Sequence, residues 1–306
     1  MIRIEGLIAA VFTPFNEDGS INFDLIPNLV DRLVLDGLRG IFVCGSNGEG
    51  PNMTTQERMK VTEVFIKAGN GRLLVIVHVG HSSIAEAKIL AAHAAESGAD
   101  AFSSVAAFYF KPTSVINLVN CMAEIASAAP TIPFYYYHIP HLTGVSMDMI
   151  EFLRYAGPLI SNLAGIKYSA SSIQEYQSCL NFENGRFDIL YGFDELLLSA
   201  LAVGAKGAIG STYTFAAPQY LKTIADFNSG DIVSAQKNHL FMVEAIRVLL
   251  QYPPIPGQKA IMKMLGWNLG PSRLPLATLS NDSYDKFKKE LDSLSFFDKI
   301  NSRAGG

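Results

Sequence analysis

Short apolar runs alternate with amphipathic stretches eight times in succession along this chain, and that pattern limits its fold more than any other feature. The runs are Leu7–Phe12, Ile41–Cys44, Leu73–Val79, Ala101–Ala106, Pro133–Ile139, Leu163–Lys167, Phe187–Tyr191 and Gly207–Ile209. Runs this short, bounded by Gly, Pro, Ser and Asn, read as strands. The segments between them have helical spacing, as Leu25, Leu29 and Leu33 do within Asp24–Asp36. Thr54 with Glu57 three residues later is a capping box that opens the second helix. Further helices are expected over Ser83–Glu96, Ser114–Ala128, Met147–Tyr155, Ser172–Asn181, Asp194–Val203 and Pro218–Asn228.

Eight strand–helix units, spaced by roughly 20 to 35 residues, favour a closed (β/α)8 TIM barrel of the α/β class. An open doubly wound sheet would carry a glycine-rich dinucleotide turn after its first strand. Here that turn is Thr13-Pro14-Phe15-Asn16. The barrel is therefore assigned to residues 1–230, and residues 231–306 to a C-terminal helical extension packed on it. Within the extension, Asp231–Leu250 is helical, Tyr252–Gly257 breaks the run, and helices follow near Gln258–Leu265 and Ser283–Ser293. Ser302–Gly306 is expected to fray.

The formal charge of −4, with no basic stripe, argues against nucleic acid or an anionic membrane as partner. No uninterrupted apolar run reaches membrane-spanning length. The N-terminus carries no signal-peptide pattern. Cys44, Cys121 and Cys179 are odd in number and widely spaced, which suits reduced thiols and a cytoplasmic location. A 49% apolar and 17% charged composition suits a chain that covers more surface by self-association.

In a barrel of this kind, chemistry sits at the C-terminal ends of the strands. Lys167 ends the sixth run with no carboxylate within four residues on either side. It either reaches for water along its stem or is held for its amine. A desolvated amine condenses with a ketone to give an imine, an electron sink for making or breaking a carbon–carbon bond. Such chemistry calls for no metal and no cofactor. Tyr137 ends the neighbouring run, where a phenol could move protons or simply pack. Period-two alternation puts Tyr135 and Tyr137 on one face and Tyr136 on the other. Gly45-Ser46-Asn47-Gly48 is a glycine-bracketed turn suited to a carboxylate, and it lacks the lysine of a nucleotide phosphate loop. Glu49 is expected to order that turn. Asp194 and Glu195 open a helix, where negative charge is stabilised, and they also suit hydroxyl binding, as do Ser211 and Thr212. His78 and His81 are read as structural or rim residues.

These residues also carry a resemblance. The chain resembles the class I, pyruvate-dependent aldolases of the N-acetylneuraminate lyase and dihydrodipicolinate synthase superfamily, from about Leu7 to Trp267. The motifs are Gly45-Ser46-Asn47-Gly48-Glu49, Tyr137-His138-Ile139-Pro140, Gly165-Ile166-Lys167, Gly192-Phe193-Asp194-Glu195 and Gly210-Ser211-Thr212-Tyr213. The resemblance implies that Lys167 forms the Schiff base, Tyr137 transfers protons, and Ser46 and Asn47 hold the pyruvate carboxylate. It implies that Ser169, Gly192, Asp194, Glu195 and Ser211 bind the polyhydroxylated part of a sugar acid. Tyr109 matches a tyrosine that in the synthase branch reaches a neighbouring subunit's site, and the resemblance implies a homotetramer. The synthases carry an arginine after the fifth-strand motif, whereas this chain has His141 and Leu142, which looks like the sialic acid lyase branch. Asn47 stands where threonine is usual and Phe193 where many lyases have tyrosine. Other members act on different 2-keto-3-deoxy sugar acids or are synthases, and these are the alternatives.

Overall fold

The computed structural model describes residues 3–301. Eight parallel strands close into a barrel in chain order. They are β1 (Gly6–Ala10), β2 (Gly40–Val43), β3 (Leu74–His78), β4 (Ala101–Val105), β5 (Phe134–His138), β6 (Leu163–Tyr168), β7 (Asp188–Tyr191) and β8 (Gly207–Gly210). The ring closes where β8 pairs with β1, from Gly6 opposite Gly207 to Ala9 opposite Gly210. The expected TIM barrel is the observed fold.

The helices are α1 (Ile26–Leu35), α2 (Thr55–Gly69), α3 (Ile84–Glu96), α4 (Val115–Ala126), α5 (Pro140–Thr143), α6 (Met149–Leu159) and α7 (Ile173–Asn181). Then come α8 (Leu197–Ala202), α9 (Tyr213–Asn228), α10 (Ile232–Leu249), α11 (Pro254–Met264), α12 (Asn281–Ser293) and α13 (Phe296–Asn301). Serine caps open several of them. Ser83, Ser114 and Ser172 each accept the backbone N–H three residues on, satisfying a donor the helix leaves free. The Thr54–Glu57 capping box forms in both directions.

Two apolar layers result. The outer layer lies between strands and helices, with Phe102, Phe134, Tyr136, Ile166 and Tyr168 among its members. The inner layer fills the barrel, with Ile8, Phe42, Ile76, Tyr135, Tyr137 and Leu190. At one level of the inner layer, the Tyr135 hydroxyl donates to Asp188 at 2.9 Å.

Three expectations are corrected. The segment Asp194–Val203 is not one helix: Asp194–Leu196 forms a 3-10 turn, and α8 follows. The helix expected from Pro218 begins at Tyr213, because a kink at Ala216 (φ −128°) accommodates the proline inside it. The proline-rich stretch does not break the chain as far as Gly257. Pro254 and Pro256 stand in the first turn of α11, where the missing N–H groups would have had no partner anyway. The helices α5 and α13 were not foreseen. Ser302–Gly306 lies outside the described residues.

The helices after the barrel pack on its last units. α10 lies along α9 and also meets α8, and α13 packs on α9. Arg273, between α11 and α12, reaches back to the barrel. Its guanidinium donates to both oxygens of Glu57 and to the Gly19 carbonyl.

Candidate active site at the C-terminal mouth of the barrel

Strand β6 puts its lysine inside the barrel by breaking its own alternation. Phe134 pairs with Leu163, but Tyr135 pairs with Gly165, so Ala164 is an extra residue. Leu163 therefore faces the outer layer and Ala164 the inner one, and then Ile166 is outside again. Without the bulge, Lys167 would share a face with Leu163. Gly165 makes this possible, since a Cβ there would lie 1.7 Å from the Asp188 carbonyl oxygen.

Lys167 is 3% exposed, and its Nζ lies 3.8 Å from the centre of the Phe42 ring and 3.9 Å from that of Tyr137. Among the described residues it joins no ion pair. Burial pushes its pKa down to about 7, against a weaker upward pull from the Asp194 carboxylate. A far larger share of it is therefore free amine near neutral pH than of an ordinary lysine. The lysine is held, not reaching for water.

Tyr137 pairs with Lys167 across β5 and β6. Burial pushes its phenol up to about 12, while Ser46 and Ser169 beside the hydroxyl pull the other way. Tyr136 faces outward onto Phe152, 4.6 Å between ring centres. His138 also turns outward, near Tyr168, where burial lowers it to about 4 and keeps it neutral.

The turn after β2 fits an anion. Among the described residues, the backbone N–H groups of Ser46, Asn47 and Gly48 bond to no acceptor. Unbonded amides carry positive partial charge, and two of these residues, Ser46 and Asn47, line the cavity. The Asn47 amide donates to the Ala10 carbonyl at 3.3 Å, so one of its protons serves the frame.

The far side is built on Asp194. Its Oδ2 accepts from the Thr212 N–H at 2.8 Å and the Thr212 hydroxyl at 2.6 Å. Burial raises its pKa to about 6, against the pull of those two bonds. Thr212 lines the cavity as well, with its hydroxyl anchoring this carboxylate. Gly192 leaves room for Ser169, whose Oγ would be 2.0 Å from a Cβ there.

One cavity of about 450 Å³ gathers these groups. Ser46, Asn47, Tyr137, Lys167 and Ser169 line it, together with Gly192, Asp194, Glu195 and Ser211. Tyr109 does not; it lies outside, 78% exposed, against Phe110. His78 is buried in the inner layer edge-on to Tyr137, its Nδ1 3.2 Å from the Cys44 carbonyl, and burial keeps it neutral. His81 accepts the Ser83 N–H.

A family model described as the dihydrodipicolinate synthetase family matches residues 3–294. The chain belongs to this family. The N-acetylneuraminate lyase of Sus scrofa is 40% identical over 305 residues, covering 97% of this chain and 95% of the relative. That of Homo sapiens is 40% identical over 300 residues, covering 96% and 93%. Among solved structures, the N-acetylneuraminate lyase (sialic acid aldolase) from Aliivibrio salmonicida matches with a TM-score of 0.94 and 40% identity, covering 97% and 98%. A dihydrodipicolinate synthase from Aquifex aeolicus matches with a TM-score of 0.88 and 31% identity, covering 96% and 99%.

Sequence reasoning missed one wall of this family member's cavity. Ile246, Leu250, Pro253, Ile255 and Leu276 of the C-terminal extension complete it, making the outer part apolar. His141 and Leu142 also line it, and the His141 ring lies 5.7 Å from that of Phe193. The motifs mark strand ends only, so nothing local signalled a wall built from helices beyond the barrel.

Proposed function

We propose that this chain is a Schiff-base aldolase that reversibly cleaves N-acetylneuraminate to N-acetylmannosamine and pyruvate. The observation that carries the reading is Lys167: a buried amine that lines the cavity without an ion-pair partner among the described residues, its Nζ 3.9 Å from the ring of the Tyr137 phenol. The lyase relatives at about 40% identity support the sugar acid as substrate.

In the proposed reaction, the Lys167 amine adds to the C2 ketone and water leaves, giving an iminium. A base removes the C4 hydroxyl proton, the C3–C4 bond breaks, and its electron pair moves into the iminium. N-acetylmannosamine departs, and the remaining enamine of pyruvate takes a proton and is hydrolysed, freeing the lysine. Tyr137, held protonated by burial, suits a relay between the C4 hydroxyl and the substrate carboxylate better than a standing phenolate base. The free amides of Ser46 to Gly48 suit that carboxylate. Ser169, Glu195, Ser211 and the unshared oxygen of Asp194 suit the hydroxylated chain.

His141 and Leu142, where a synthase carries arginine, support the lyase branch over the synthase. We further propose residues 1–230 as the catalytic barrel, 231–306 as its extension, a homotetramer as the assembly and the cytoplasm as the location. The exposed Tyr109 and Phe110 suit a subunit contact. No helix among the described residues is long and apolar enough to cross a membrane.

The test is borohydride reduction in the presence of pyruvate, read by mass spectrometry. An adduct on Lys167 is expected, and none with Lys167→Ala. Pyruvate is then offered with N-acetylmannosamine or with aspartate semialdehyde. Product from the semialdehyde alone would overturn the lyase reading.

A further inference from the structure

The carboxylate of Glu49 is completely enclosed and lies 2.6 Å from the Lys259 ammonium, itself only 4% exposed at the side chain. Glu49 closes the turn after β2 in a left-handed conformation (φ 53°), and its N–H donates to the Ser46 carbonyl at 3.0 Å. Its other oxygen accepts the Arg273 N–H at 2.8 Å. Lys259 belongs to α11. It also donates to the Pro271 carbonyl at 3.0 Å and stands over the Phe15 ring at 4.4 Å. One ion pair thus joins the barrel's second loop, its first loop and the C-terminal extension.

Enclosing two charges is costly unless their geometry is good and their remaining valences are met. Here both partners have further bonds, and neither lines the cavity. The same turn is tied elsewhere, where the Thr13 hydroxyl donates to the Gly48 carbonyl at 2.7 Å. At Gly50 there is no room for adjustment, since a Cβ would lie 2.0 Å from the Cys44 carbonyl oxygen. The turn is braced from behind while the N–H groups of Ser46, Asn47 and Gly48 stay unbonded. Preorganised donors bind an anion without reorganising, and a small displacement of them weakens binding.

We propose that Glu49 and Lys259 are positioning residues for the carboxylate-binding turn, so that the C-terminal extension sets the site's affinity for the 2-oxo acid. This rests on the aldolase reading above. Neither residue touches substrate; both act through the main chain of Ser46 to Gly48.

The test uses the full chain with Lys259→Met and, separately, Glu49→Gln, which keeps an acceptor for the Arg273 N–H. The readout is the pyruvate concentration giving half-maximal borohydride trapping on Lys167. In the condensation direction it is the KM for pyruvate beside the KM for N-acetylmannosamine. Both variants should need about tenfold more pyruvate, with the trapping plateau kept and the aldehyde KM unchanged. Lys259→Arg, which keeps the charge, should restore most of the affinity. If Lys259→Met does not fold, Glu49→Gln carries the test alone. Folded variants with wild-type pyruvate dependence, or with both KM values raised in parallel, overturn the proposal. A wild-type chain that pyruvate never traps removes the aldolase reading as well, so the two failures are told apart.

Discussion

Burial disfavours the charged form of Lys167, where water would keep an ammonium. The unfolded chain holds that proton up to the ordinary lysine value of 10.5, and the folded chain only up to about 7. Between those values the unfolded state binds more protons, so stability rises with pH across that window. Lys167→Met should remove the penalty. Its thermal midpoint should exceed the parent's by roughly 2 °C or more, with a larger gain at pH 6 than at pH 9. Calorimetry at the two pH values checks this, and a gain that does not depend on pH would refute it. Asp194 pulls the lysine upward. Asp194→Asn should therefore move the rising limb of the pH–trapping profile to lower pH, while Asn still accepts the Thr212 hydroxyl. A limb that stays in place or moves to higher pH counts against this electrostatic link.

Among the elements, β6 is the least forgiving. Its bulge turns Lys167 inward, and Gly165 lets the strand pass the Asp188 carbonyl. Gly165→Ala must move one backbone or the other. A loss of about 1–3 kcal/mol of stability is expected, with trapping reduced at least about tenfold, as read by denaturant unfolding and the borohydride assay. Several helix starts were legible in the sequence because a cap is a local bond: Thr54 caps as its spacing to Glu57 foretells, and Ser83, Ser114 and Ser172, read as the first residues of helices, cap the helices that follow them. Helix starts near proline were less so. Pro218 and Pro254 lie inside helices, tolerated through a kink in one case and a first-turn position in the other.

Across the whole molecule, the helices after the barrel help to line the candidate cavity. The extension supplies Lys259 and Arg273 to the loops and an apolar wall to the cavity. A chain ending at residue 230 should lose that wall and uncover α9. It should come out aggregated or without cooperative unfolding, as judged by sedimentation and circular dichroism. Soluble, trapping-competent barrel would contradict this. The exposed pair Tyr109 and Phe110 belongs to the same scale. Replacing both with serine should shift the proposed tetramer toward smaller species in sedimentation velocity, and an unchanged mass would place the subunit contact elsewhere.

The sequence by itself determined the barrel, its order and the strand ends that carry Ser46, Tyr137, Lys167, Asp194 and Ser211. Strand and helix periods, caps and turns are set by neighbours within a few residues. The tertiary structure decided which way Lys167 faces, because one inserted residue reverses a strand's alternation and β6 shows its bulge only when paired with β5. It decided that the charged form of this amine is disfavoured, because desolvation depends on burial within the barrel, where Phe42 and Tyr137 lie against it. It also decided that Glu49 answers to Lys259, since their pairing requires the extension to fold back on the barrel.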